Sequence, residues 1–117
     1  MKQVLFIVRT APYGSAAVPE SVRACLGFGT MPVEVSYLLT DDGVWALAPG
    51  QQAEAIGAES APGLIASLAE LGVRIFAESE ALQARGLAAD GLGFPLTALA
   101  ADQIARLIAA ADAVITY

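Results

Sequence analysis

The stretch Val35-Ser-Tyr-Leu-Leu-Thr-Asp-Asp-Gly-Val-Trp-Ala-Leu-Ala-Pro49 passes from a strand pattern through an acidic turn into a short amphipathic piece, and its reading decides the fold. Val35 to Leu39 is a mostly apolar run, expected of a strand buried on both faces of a parallel sheet. Thr40-Asp41-Asp42-Gly43 supplies side chains suited to capping backbone N–H groups, so the strand is expected to end where a helical N-terminus begins. Val44, Trp45, Leu47 and Ala48 then predict a helical turn or two, stopped by Pro49-Gly50, with Trp45 laid against the sheet or a partner. In open α/β sheets, ligands bind beyond the carboxyl ends of the strands, and this turn is expected there.

Outward from that segment, helix and strand patterns alternate. Val4-Leu-Phe-Ile-Val8 is a continuous apolar run that predicts a central parallel strand, and Arg9 to Ser15 is a loop by its Pro12 and Gly14. A helix is expected from about Ala16 to Gly29, with Val18, Val22, Cys25, Leu26 and Gly29 on one stripe, so that Cys25 faces the core. Gly50 to Gly63 reads as a loop. Leu64, Ile65, Leu68 and Leu71 mark a helix closed by Gly72, and Val73 to Ala77 is the third strand. Ser79 is expected to cap a helix running through Leu82 to Arg85, which Gly86 closes. The next strand is placed near Phe94 to Thr97, short or at an edge because Pro95 removes a ladder donor. Ile104, Leu107, Ile108 and Ala111 predict the last helix, and Ala113 to Tyr117 the last strand. The pattern implies one α/β domain over residues 1–117. It is a three-layer sandwich with flavodoxin-like layering: a doubly wound, mostly parallel five-stranded sheet with helices on both faces.

Composition narrows the function. Six Lys plus Arg stand against twelve Asp plus Glu, a net charge of −6, which repels a phosphate backbone and argues against direct nucleic-acid binding. The hydrophobic share of 56% against 15% charged residues is high for a monomer of 117 residues, and predicts that some apolar surface meets another subunit. No uncharged apolar run reaches the ~18 residues of a membrane helix. Met1-Lys2-Gln3 runs directly into a strand pattern without a signal segment, so a cytoplasmic location is expected. The absence of histidine removes the Ser-His and Cys-His dyads and most zinc sites, and one cysteine allows no internal disulfide.

The loop Thr10-Ala-Pro-Tyr-Gly14, the segment Asp42-Gly-Val-Trp-Ala-Leu-Ala-Pro-Gly-Gln51, the segment Leu82-Gln-Ala-Arg-Gly-Leu87 and the closing Asp112-Ala-Val-Ile-Thr-Tyr117 together resemble the DsrE/DsrF family of sulfur-relay proteins, and most closely its DsrF/TusC branch. The resemblance runs over nearly the full length. It implies a five-stranded parallel sheet and oligomeric assembly with sister chains of DsrE/TusD and DsrH/TusB type, sulfur being passed as a persulfide. It also places the carrier cysteine of the DsrE/TusD chain just after the third strand, a few residues before the Arg-Gly pair. Counting back from Arg85-Gly86, that place holds Glu78, and a carboxylate cannot accept sulfane sulfur. An accessory, non-catalytic subunit is therefore expected, with no cofactor and no metal. Two rival readings are a homo-oligomeric binder of a small anion, at the Thr10 to Ser15 loop or by Glu78, and a sulfurtransferase using Cys25.

Each candidate residue also has a plain structural role. Glu78 either faces a partner pocket or helps cap the next helix. Cys25 is an accessory thiol or a small core residue. Thr10, Tyr13 and Ser15 could cradle an anion ahead of a helix, or only shape a loop. Asp41 and Asp42 could bind a divalent cation, but adjacent side chains diverge, which favours capping. Trp45 is an interface anchor or a core residue, and Arg85 reaches a helix end or a partner carboxylate.

Overall fold

Strands β1 (Lys2–Val8) and β2 (Val33–Leu39) form the heart of the sheet in the computed structural model, which describes residues 1–117. They pair in parallel from Lys2 opposite Val33 to Val8 opposite Leu39. Around them stand β3 (Arg74–Glu78), β4 (Thr97–Leu99) and β5 (Ala113–Thr116), giving the order β4-β3-β2-β1-β5. Every pairing is parallel, so the sheet is wholly rather than mostly parallel.

Strand alternation divides the core. Val4, Phe6, Val8, Val35, Tyr37, Leu39, Ile75 and Ala77 share one face. Helix α1 (Ala17–Gly27) covers it with Val18, Val22 and Cys25, and helix α2 (Ala61–Glu70) with Ala61, Ile65 and Leu68. Ala81 and Leu82 of the short helix α3 (Ser79–Ala84) join the same cluster. Large side chains buried in this way stabilise by about 1.5–3 kcal/mol each. Tyr37 is fully buried, and its hydroxyl meets Ser21 Oγ at 2.7 Å, which in turn donates to the Val18 carbonyl at 2.8 Å. A buried phenol without such a partner would destabilise the core. On the opposite face Leu5, Ile7 and Leu38 lie under Ile104, Leu107 and Ala111, the first two from helix α4 (Ala101–Ala110). The chain steps outward from β1 to β4 with helices on one face. It then returns across the other face through α4 to place β5 beside β1, as right-handed crossovers require.

Several boundaries differ from the sequence expectation. Helix α1 stops at Gly27 rather than Gly29, and Leu26 turns out to solvent while Ser21 takes a buried place on the stripe. Within Gly50 to Gly63, expected as loop, Ala53–Ile56 forms a 3-10 turn and α2 already begins at Ala61. Ser60 Oγ caps α2 by accepting the Gly63 N–H at 3.3 Å, and Pro62 fits its first turn. Strand β4 starts three residues later than expected, at Thr97. Phe94 and Leu96 pack on the core from irregular chain, and Pro95 precedes the strand, which is three residues long and lies at the sheet edge. No helix is long and apolar enough to cross a membrane.

Candidate functional site

Val8 and Leu39 end side by side, and the chain beyond each turns over the carboxyl edge of the sheet. After β2 the backbone folds at once into a 3-10 segment, Asp41–Leu47. Thr40 N–H donates to the Val8 carbonyl at 3.0 Å and Gly43 N–H to the Thr40 carbonyl at 2.8 Å. These bonds press the segment so closely on β1 that a Cβ on Gly43 would lie 2.1 Å from Val8 O. Glycine is required at this position for space, since its φ is not positive.

Charged side chains from four neighbouring places converge here. Arg9, just past β1, holds its Nε 3.7 Å from Asp41 Oδ2. Asp41 has a φ of 47°, a left-handed conformation that aspartate adopts more readily than most residues. Its N–H donates to Glu78 Oε1 at 3.1 Å, so the carboxylate at the end of β3 caps the segment that follows β2. Arg85, closing α3, donates from Nε and Nη2 to Asp42 Oδ1 at 3.3 and 2.9 Å, and from Nη1 to the Ala81 carbonyl at 3.2 Å. Arg9, Thr10, Asp41, Asp42, Arg85 and Thr116 line a polar cleft of about 400 Å³. The Arg9–Asp41 pair is exposed and contributes little. Arg85 is largely covered and makes two bonds to one oxygen, which makes it the stronger tie.

The capping expectations need correction. Thr40 occupies the cap position of the 3-10 segment without a side-chain bond, because the Asp41 and Asp42 carboxylates are drawn to arginines distant in sequence. Ser79 is the first residue of α3, not its cap. Glu78 holds the cap position, yet its carboxylate serves Asp41 instead. Asp41 and Asp42 diverge toward different partners, and no group of three potential metal ligands exists.

Tyr13 and Trp45 belong to a second network. Gln51 Nε2 shares its two hydrogens among the carbonyls of Ala48, Ala46 and Trp45, at 2.8, 3.0 and 3.3 Å. The Tyr13 hydroxyl donates to Gln51 Oε1 and accepts the Ala61 N–H at 3.2 Å. The first loop, the Trp45 segment and the start of α2 are thereby tied together, and Trp45 stands 40% exposed on the tethered segment. Sequence reasoning missed Gln51 and Gly43. A glutamine in a Gly-Pro-rich loop carries no signal of long-range bonding, and a glycine after two aspartates reads as an ordinary turn.

Cys25 lies apart from both networks, 1% exposed, where it borders a cavity with Val33, Val35 and Val73 near the amino ends of the strands. Burial pushes its thiol up to about 12. At neutral pH it is therefore a protonated, enclosed thiol, whereas sulfur transfer requires an accessible thiolate. The cleft itself offers carboxylates, guanidiniums and hydroxyls, and none of these accepts sulfane sulfur.

The sequence matches the model of the DsrE/DsrF-like family over residues 2–117. It is 31% identical over 119 residues to a TusC homolog from Vibrio parahaemolyticus, the alignment covering the whole of both chains. It is 32% identical over 93 residues to the intracellular sulfur oxidation protein DsrF of Allochromatium vinosum, covering 79% of this chain and 68% of that one. Among solved structures, the ychN protein from E. coli superposes over 100% of both chains with a TM-score of 0.82 at 19% identity, a likeness of fold.

Proposed function

The chain belongs to the DsrE/DsrF-like family, and from that premise we propose that it acts as an accessory subunit of a cytoplasmic sulfur-relay complex of DsrF/TusC type. It holds a cysteine-bearing sister chain in place and carries no sulfur itself. The observation that carries this reading is the use made of Glu78. Where the family resemblance places a carrier thiol, a carboxylate accepts the Asp41 N–H and locks the chain end of β3 to the segment after β2. The remaining thiol, Cys25, is enclosed and protonated, which argues against a sulfurtransferase working through it. Names of DsrF and TusC among the relatives support the relay role.

The sister chains are of DsrE/TusD and DsrH/TusB type, and the exposed Trp45 on its tethered segment is the anchor offered to them. Trp is enriched at the centres of interfaces because it buries a large rigid surface. A small anion in the charged cleft is disfavoured, because its two guanidiniums, Arg9 and Arg85, already face Asp41 and Asp42, and Glu78 adds a further carboxylate beside them. Mixing the protein with its sister chains and weighing the products by native mass spectrometry tests the proposal. A heteromer that weakens on Trp45→Ala supports it, and failure to join any heteromer removes it.

A further inference from the structure

Two cavities, of about 530 and 300 Å³, meet at Leu26 on the outer side of α1. The first runs between α1 and the 3-10 turn at Ala53–Ile56, bordered by Val18, Val22 and Leu64. The second continues between the C-terminal ends of α1 and α2, bordered by Phe28, Val33 and Val73. Neither shares a residue with the charged cleft. Leu26, Met31, Ile56 and Leu71 stand along this seam, Ile56 and Leu71 being 68% and 65% exposed, and they are half of the eight large hydrophobic side chains the molecule exposes. Scattered single apolar residues need no explanation, but four on one groove mark a contact surface.

The surrounding charge indicates what fits there. Glu34 and Glu59 line the groove, with Glu54 and Glu70 on the elements beside it, and none of the four is in an ion pair. Two arginines also line the groove, Arg23, 4.0 Å from Glu20, and Arg74, whose guanidinium lies over the Phe76 ring at 5.8 Å, so that with Glu20 five carboxylates surround the seam against two guanidiniums. Helices α1 and α2 both end at this groove without a basic residue in their last turns, so their carbonyl ends add to the negative potential. A second copy of this chain, itself carrying a net charge of −6, would bring like charge to that rim.

The geometry points to a docking groove for a basic amphipathic helix of a partner protein. The 11 residues of α1 rise over about 16 Å, which accommodates roughly three turns of a docked helix with apolar anchors near i, i+3 or i+4, and i+7. Its lysines or arginines flank that stripe and concentrate at the end meeting the C-termini of α1 and α2. This surface is independent of the sulfur-relay reading.

The probe is a fluorescein-labelled helical peptide about twelve residues long, with leucines on one face and lysines on the other, titrated by anisotropy. A peptide of the same composition with its leucines spread around the helix is the control. Specific binding is expected for the first peptide only. The pair Leu26→Ser and Leu71→Ser, on exposed positions, weakens it about tenfold or more, and Ile56→Ser acts in the same direction from a different element. Glu34→Gln with Glu59→Gln flattens the dependence on salt. Circular dichroism melts confirm that the variants are folded. Equal binding of both peptides, binding unchanged in the serine variants, or no binding at all overturns the proposal.

Discussion

Replacing Gly43 by alanine tests how the site is built. The added Cβ would sit 2.1 Å from Val8 O and 2.9 Å from Val8 C, both backbone atoms of a central strand that cannot yield. Carbon and oxygen in ordinary contact stand more than 3 Å apart, so the Asp41–Leu47 segment must lift by about 1 Å. Overpacking of this kind costs about 1–3 kcal/mol, and the Thr40 N–H bond to the Val8 carbonyl is strained in the same movement. The expected loss is therefore about 3 kcal/mol, which for an unfolding entropy near 2.1 cal/mol/K per residue lowers Tm by roughly 10–15 °C. Urea denaturation gives the first figure and a thermal melt the second. Trp45, the chain's one tryptophan, rides on the displaced segment, so its emission reports the local change directly. An alanine variant with the stability and emission of the parent would refute the close docking of this segment on β1.

Other expectations follow from the same contacts. Cys25, raised to about 12, gives stability that is full below about pH 8.5 and falls as pH rises toward 12, because the unfolded thiol loses its proton first. Tyr37, shifted upward by burial, adds to the decline above about pH 10, and urea denaturation from pH 7.5 to 10.5 should show a slope that flattens in Cys25→Ala. Tyr13→Phe removes a donor to Gln51 and the acceptor of the Ala61 N–H, for a loss of about 1–2 kcal/mol and faster amide exchange at Ala61. A double-mutant cycle with Asp42→Asn and Arg85→Gln should give a coupling of about 0.5–1 kcal/mol that shrinks in high salt; a coupling of zero removes the tie between α3 and the Trp45 segment.

The strands at Val4–Val8, Val35–Leu39 and Val73–Ala77 were legible because buried parallel strands announce themselves as continuous apolar runs. Strand β4 was misplaced for a related reason: Phe94 and Leu96 are as apolar as strand residues, but they reach the core from irregular chain. Local sequence also favoured Asp41, Asp42 and Ser79 as caps, since their side chains are the right kind at the right offset. Arg9 and Arg85 took the two aspartates, and Glu78 supplied the Asp41 N–H from 37 residues away. Competition of that sort is invisible to any local window. The tether of Tyr13 to Gln51 and Ala61 spans 38 and 48 residues and was unreadable for the same cause.

Whether this polypeptide can hold sulfur decides its place in a relay. Incubating the purified protein with a persulfide donor at neutral pH and measuring intact mass answers that directly. An unchanged mass is predicted, while a sister chain in the same tube gains a sulfur atom; a one-sulfur adduct on this chain, lost in Cys25→Ser and passed on to an acceptor, would contradict the account.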